Sequence, residues 1–480
     1  MLIARFIVKT ATPLHAGGGS SVEFDQPVSR DPFGFWNIQA SSLAGFLRAV
    51  IGSEDDSAAK QLFGSSTDGG IRASDVWLSD AVLLDFDGKP AWEKANRGED
   101  IAIPQGPFIR DHVKINLATG AAERSAKFDE EIVPPGAMFA FEMSLDSWNN
   151  DDEALEKSER ENFFRLFNLI KSNGLRVGGK AVNGYGSFVT EYGEIREFDL
   201  RTAKGLEAWL NLCPAPKFAQ SEGAEVGVEA SELREKHSGI DATLSFRLRN
   251  ATPVLVGGTN TEDASYDMAC LMTPVFIDGG SSHVQYRYTI PGSSIRGVLR
   301  HRVAEIASAL GSDGGKVADS VFGSIGADGK EGQGSMGHLL CMDVLLDPSK
   351  HAEGIQHVKI DKFTGGAMSG ALFDEAPIAN EFKADFNMTV KGIDPYGAKL
   401  LAHALLDFFT GELPIGGGSN RGNGRLLLEG LDRDCSNLKD ALAGIKARVF
   451  VDGNEVDLRN SEAREKLLDC LEKATPEGGI

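Results

Sequence analysis

Apolar positions along the chain switch between a period of two and a period near 3.6, and the same series of switches occurs twice. Ala4, Phe6 and Val8 alternate with Arg5, Ile7 and Lys9, while Leu244, Phe246 and Leu248 alternate with Ser245, Arg247 and Arg249. Both patterns predict a strand. Each strand runs into Ala-Thr-Pro (Ala11 to Pro13; Ala251 to Pro253) and then into glycines, Gly17 to Gly19 and Gly257-Gly258, which end it. After a loop, Leu43, Phe46, Leu47 and Val50 fall at i, i+3, i+4 and i+7, and Ile295, Val298, Leu299 and Val303 form the second such stripe. These predict amphipathic helices with Ser41 or Ser42, and Ser293-Ser294, as N-terminal caps. Arg48 and Arg300 then occupy equivalent flanks, where they can face a ligand.

Smaller landmarks follow in the same order. Leu62 to Gly64 matches Val321 to Gly323, and the second strands read SDAVLL from Ser79 and MDVLL from Met342. Asp111 to Glu131 and Gln356 to Ala376 each hold HVKI, a Thr-Gly turn and a Phe-Asp-Glu end, the pattern of an extended hairpin. A leucine- and aromatic-rich helix ending at Gly174 or Gly411 comes next, then a glycine-rich loop, LRVGGKAVNGYGSF or LPIGGGSNRGNGRL. The chain is therefore a duplication of an α+β unit close to the ferredoxin-like βαββαβ pattern. We divide it into a first domain at 1–200, an acidic linker at 201–240, a second domain at 241–430 and an acidic extension at 431–480. The last piece contains RVFVDGNEVDL, a hairpin with an Asp-Gly turn, and a final helix.

Composition narrows the class. A chain of 480 residues is too long for one ordinary core, and 41 % apolar with 25 % charged residues describes a soluble protein. No apolar run is long enough to cross a bilayer, so a cytoplasmic protein is expected. The five cysteines are far apart, which argues against a disulfide framework or a zinc site. A net charge of -21 speaks against a polyanionic partner, but the acids crowd outside the repeated motifs. Those motifs carry Arg48, Lys114, Arg176 and Lys180, then Arg296, Arg300, Arg302, Lys359, Arg421 and Arg425. Local sign leaves nucleic acid open as a ligand.

Neither glycine loop is a P-loop or a dinucleotide fingerprint. Taken singly each is a turn; recurring beside basic residues, they favour backbone contact with phosphates. His15 becomes Leu255 in the second copy, so folding does not require it there, whereas His112 and His357 recur. Asp25 lies between the glycines and the helix. It is either a solvated loop carboxylate or an acid that orients a 2'-hydroxyl or binds a divalent cation. Aligning Pro27-Val28 with Pro274-Val275 places Met272 opposite Asp25, with Asp263 or Asp267 as displaced substitutes.

The series LHAGGG, Asp25-Gln-Pro-Val, SSLAGFLR, LFG, HVKI…TG and GYG resembles the RAMP superfamily of CRISPR-associated proteins, and more closely the backbone subunit of type III effector complexes. The resemblance covers nearly all of 1–200 and 241–430. It implies RRM-like domains, each with a thumb-like hairpin, stacked along a CRISPR RNA with the other effector subunits. It also implies metal-dependent endoribonuclease cutting of the guide-paired, single-stranded target RNA, with Mg2+ or another divalent cation. Carried onto this chain, Asp25 matches the catalytic and metal-binding acid, and Asp267 is its substitute in the second half. His15, Arg48 and the HVKI residues His112, Lys114, His357 and Lys359 match guide-contacting positions. Gly17, Gly18, Gly19, Ser41, Ser42, Lys180, Ser293, Ser294, Arg296, Arg300 and Arg421 complete the expected RNA-binding set. The alternatives are a non-catalytic guide-binding scaffold and a guide-processing ribonuclease using His15 as base.

Overall fold

The computed structural model describes the chain except residues 20–24, 68–69, 117–120, 147–152, 221, 229–232, 234–236, 259–265, 278–282, 325–333, 351, 432–444, 458–459 and 476–480. In the first half, β1 (Leu2–Thr10) leads through the glycine turn to helix α1 (Ala40–Glu54) and strand β2 (Ala81–Leu84). Then follow the hairpin β3 (Ile109–Asn116) and β4 (Ala121–Glu131), β5 (Met138–Leu145), helix α2 (Glu153–Lys171) and β6 (Phe188–Glu197). β1 lies between β6 and β5, antiparallel to both, and β2 pairs with β5. Phe6 stacks on Phe141 of β5 at 5.1 Å and meets Phe167 of α2 at 5.3 Å, so helix and sheet share one core.

Flanked on both edges, β1 is buried on both sides, and Arg5, expected on a polar face, is 3 % exposed. The segment expected to be a free linker at 201–240 is what covers it. Arg5 donates to the Cys213 carbonyl at 2.8 Å and the Lys217 carbonyl at 3.2 Å, and it lies over the Phe218 ring. Buried Glu222 stands 3.6 Å from it. A guanidinium held in a sheet face needs acceptors, and this segment brings them. Strand β7 (Ala224–Glu225) also pairs with β6, and Leu233 enters the first core.

The second half begins with β8 (Ile240–Asn250), then the hairpin β9 (Met272–Phe276) and β10 (Val284–Ile290), helix α3 (Gly292–Ala309) and β11 (Leu339–Cys341). The hairpin β12 (Ile355–Ile360) and β13 (Ala367–Ala376), β14 (Lys383–Ile393), helix α4 (Pro395–Phe409) and β15 (Leu426–Leu428) complete the repeat. Its sheet runs β11, β14, β8, as in the first half, but the last strand is in two pieces. β15 pairs with Leu248 to Asn250, and β16 (Lys446–Val451) takes over from Ser245 to Ile240. Residues placed in an extension beyond 430 thus belong to the sheet, because β8 is longer than β15 can cover. β17 (Asn454–Val456) closes the expected Asp-Gly hairpin, with Asp452 and Gly453 at φ of 49° and 80°. Helix α5 (Ser461–Lys473) lies by α4, where Lys399 donates to the Glu472 carbonyl at 2.7 Å.

The halves meet through β9–β10. Phe276 is buried in the first core beside Trp36, Phe86 and Phe108, and its N–H donates to the Pro135 carbonyl at 2.8 Å. Arg110 of β3, 3 % exposed, donates to Asp343 and Thr273 of the second half at 2.6 Å each, and to Tyr185 at 3.0 Å.

Candidate functional site

The glycine turn packs against the segment from Asp25 to Val28. The Gly18 N–H donates to the Pro27 carbonyl at 3.0 Å, and a Cβ there would lie 2.6 Å from the Val28 oxygen, so glycine alone permits the pass. In the second half the Gly258 N–H donates to Ala269 at 3.1 Å. The bridges Gly17 to Val28 and Gly257 to Cys270 fix the register: Pro27 corresponds to Ala269, Gln26 to Met268 and Asp25 to Asp267. The hairpins agree, since Gln26 pairs in parallel with Glu130 and Met268 with Glu375.

This corrects the alignment that set Met272 against Asp25. Met272 pairs with Tyr288 in the β9–β10 hairpin, at the place where Arg30 bridges Trp36 in the first half. The hairpin lengthens the second loop and supplies a second Pro-Val after the true match. Asp263 lies outside the described residues.

Both acids are held alike. The Asp129 N–H donates to Asp25 Oδ2 at 3.2 Å and the Asp25 N–H to Asp129 Oδ1 at 3.1 Å. The Asp374 N–H donates to Asp267 Oδ2 at 3.0 Å. Asp25 and Asp267 are exposed, while the next hairpin residue, Glu130 or Glu375, is buried. Glu130 accepts from Lys180 and lies 2.5 Å from His112 Nε2; Glu375 accepts from Arg421 and lies 3.1 Å from His357 Nε2. Burial pushes the Glu130 carboxyl up, but His112 and Lys180 outweigh it and hold it at about 2. Each imidazole stacks on the neighbouring phenylalanine, His112 on Phe128 at 5.0 Å and His357 on Phe373 at 4.9 Å. The cation reaching Glu130 is Lys180, whereas Arg421, three places further along its glycine loop, reaches Glu375. Asp129, Glu130, Asp374 and Glu375 carry one signal in sequence, the repeated Phe-Asp-Glu, which taken alone marks only the end of a hairpin.

Other expected RNA-binding residues divide. Gly17, Gly18, Gly19, Ser41, Ser42, Arg48 and Lys359 are exposed, and Arg48 has no partner among the described residues. Ser41 and Ser42 do not cap α1, nor do Ser293 and Ser294 cap α3. The caps are Gln39 and Pro291, and the first helical N–H groups go to carboxylates from distant loops: Ala40 to Asp80 at 2.7 Å and Gly292 to Asp343 at 2.9 Å. Arg300 spends its guanidinium on Asp319 and on the Ala318 and Gly323 carbonyls, and Arg296 on the Leu339 and Phe322 carbonyls, which ties both to the protein. His15 is 7 % exposed and its Nδ1 donates to the Glu131 carbonyl at 2.9 Å, so the ring is packed beneath the loop it was expected to serve. Lys114 sits on β3; its side chain, like the Thr119-Gly120 turn, lies outside the described residues.

A groove of about 440 Å³ runs between the halves, lined by Gly17, Ser42, Phe46, Arg176 and Gly179 of the first and by Met336, Leu340 and Lys391 of the second. Among the described residues no group of three or more His, Cys, Asp or Glu is arranged around a metal position. Asp25 with Asp129, and Asp267 with Asp374, form the one- or two-carboxylate donor set to which a hydrated Mg2+ binds together with substrate phosphates. The residues present fit such an ion.

A repeated α+β unit with a basic, glycine-rich loop and an acid at the foot of a hairpin defines the class, and the chain belongs to the RAMP superfamily, whose model matches residues 7–189 and again 271–427. It is 28 % identical over 201 residues to the CRISPR system Cms endoribonuclease Csm3 of Enterococcus italicus, a match spanning 38 % of this chain and 87 % of that protein. That relative is thus about as long as one half of this chain. No described helix is long and apolar enough to cross a membrane.

Proposed function

We propose that the chain is a tandem, CRISPR RNA-binding backbone subunit of a cytoplasmic type III effector complex, and that target RNA paired to the guide is cut at both Asp25 and Asp267. Each half is a ferredoxin-like, RRM-like domain with a thumb-like hairpin, the first extended by the docked segment up to about 240 and the second by β16 and β17. The observation that carries this reading is the duplicated constellation of an exposed Asp, tied by the backbone to the foot of a hairpin, beside a buried glutamate that holds one cation and one imidazole. The relative's printed name, an endoribonuclease of a CRISPR system, supports the activity class.

In this reading the exposed groove residues and Arg48 take the guide backbone, and the hairpins reach over the paired strands. Asp25 or Asp267 accepts a hydrogen bond from the target 2'-hydroxyl, orients it toward the adjacent phosphate and takes its proton as the 2'-oxygen–phosphorus bond forms and the bond from phosphorus to the 5'-oxygen breaks, leaving a 2',3'-cyclic phosphate and a 5'-hydroxyl that takes its proton from water. Asp129 and Asp374 fix those carboxylates through their N–H groups. Asp25 with Asp129, and Asp267 with Asp374, would hold a Mg2+ ion, which when bound would supply charge neutralisation at the phosphate. Glu130 and Glu375 keep a cation at the hairpin foot without leaving net charge buried.

The test is cleavage by the reconstituted complex with Mg2+, mapped to the nucleotide. Asp25→Asn and Asp267→Asn should each lose a different cut by roughly 10²-fold or more while guide RNA is retained. If every cut persists in both variants, the chain is a non-catalytic scaffold.

A further inference from the structure

We propose that the outer face of the first half, centred on Asp80 and Trp77, docks a subunit that is not this chain and that presents an arginine to Asp80. The inference rests on reading the chain as a subunit of an assembly, and it uses the contact between the halves as the template. Asp80 and Asp343 are equivalent: each accepts the first N–H of its helix, from Ala40 at 2.7 Å and from Gly292 at 2.9 Å. The second oxygen of Asp343 receives Arg110 of the first half at 2.6 Å. The second oxygen of Asp80 is exposed and without a partner among the described residues.

Trp77 repeats the asymmetry. Trp77 pairs with Ser144 and Leu340 with Thr389, the same register of each sheet. Leu340 is 4 % exposed in the groove between the halves, whereas Trp77 is 66 % exposed. A tryptophan beside an unpaired carboxylate is the pattern of an interface anchor with a charged partner.

A second copy does not fit this face. Arg110 stands two residues before His112, and the residue two before His357 is Ile355, which brings no charge to Asp80. At the junction a Cβ on Gly136 would lie 2.4 Å from the Phe276 oxygen; the equivalent position, before Phe382, is Glu381. The hairpin that clasps the first half is itself reduced, in the first half, to the turn from Asp31 to Gly34. Stacking copy on copy would therefore lose the ion pair, the close backbone approach and the clasp together. Arginine is specified over lysine because Arg110 pairs with Asp343 while its guanidinium lies 5.4 Å over the Tyr185 ring, and Trp77 offers a ring beside Asp80.

The experiment replaces Trp77 with a photo-crosslinking phenylalanine analogue in the complex assembled on guide RNA, followed by peptide mapping and native mass spectrometry. A crosslink to an arginine-containing peptide of another subunit, with one copy of this chain per guide, is expected. A crosslink to this chain's own surface near Ile355, or no crosslink in the assembled complex, overturns the proposal. Asp80→Asn keeps an acceptor for the Ala40 N–H, so it should fold and retain guide RNA while the neighbour binds roughly 30-fold or more weakly; unchanged retention of the neighbour also overturns it. Absence of guide RNA from the wild-type preparation would instead strike the subunit reading.

Discussion

Replacing Glu130 by glutamine tests whether the hairpin foot is an electrostatic unit or only a packed one. The carboxylate is fully buried and faces Lys180 and His112, and the substitution keeps its shape while removing its charge. A carboxyl lowered from 4.5 to about 2 contributes about 3 kcal/mol to the folded state at neutral pH. Because the folded value lies below the unfolded one, that contribution is complete above about 4.5 and is lost as pH falls toward about 2. Glu130→Gln should therefore be destabilised by about 3 kcal/mol, with a constant deficit from neutral pH down to about pH 5 and a shrinking one below. Amide hydrogen exchange of β3 and β4 across this pH range reads the effect locally, without requiring the whole chain to unfold in one step. Protection equal to wild type at neutral pH, or a deficit that already shrinks between pH 7 and pH 5, would refute the reasoning.

Arg110→Met should loosen the junction by roughly 3–5 kcal/mol, since it strands Asp343 among buried groups; Arg110→Met with Asp343→Asn should cost less than the two changes summed, measured by a double-mutant cycle in denaturant. Truncation after residue 431 removes β16 and bares the lower edge of β8, so it should give an aggregating or poorly expressed second half, while truncation after 457 keeps the strand and stays soluble, as sizing chromatography would report.

The duplication, both core faces and the position of Asp25 were legible in the sequence, because periodicity and glycine placement are local signals. What escaped notice depends on contacts far apart in the chain. Arg5 and Lys9 look alike as polar interruptions of a strand, yet only Arg5 is covered, by residues some two hundred places later. Ser41, Ser42, Ser293 and Ser294 sit where caps belong, but the carboxylates that take the helix ends arrive from loops beyond each helix. Arg48 and Arg300 are equivalent by spacing and differ in use, because only Arg300 has Asp319 within reach. Asp267 is hidden in sequence by an insertion whose own Pro-Val imitates the first-half motif, and the bridges from the glycine turn together with the hairpin pairing set the register.

The burial of Phe276 in the first core has a consequence for the order in which the protein matures during synthesis. The first half has almost all of its core by Leu233, yet the aromatic pocket of Trp36, Phe86 and Phe108 stays open until β9 leaves the ribosome. At about 5–20 residues per second the intervening stretch takes roughly 2–9 s, long compared with the folding of most domains. During that interval the nascent chain carries an apolar opening at the place where its second half will join it. Phe276 then arrives on the same chain, at an effective concentration that a free chain in solution does not reach, so tethering favours the pairing of the two halves in cis.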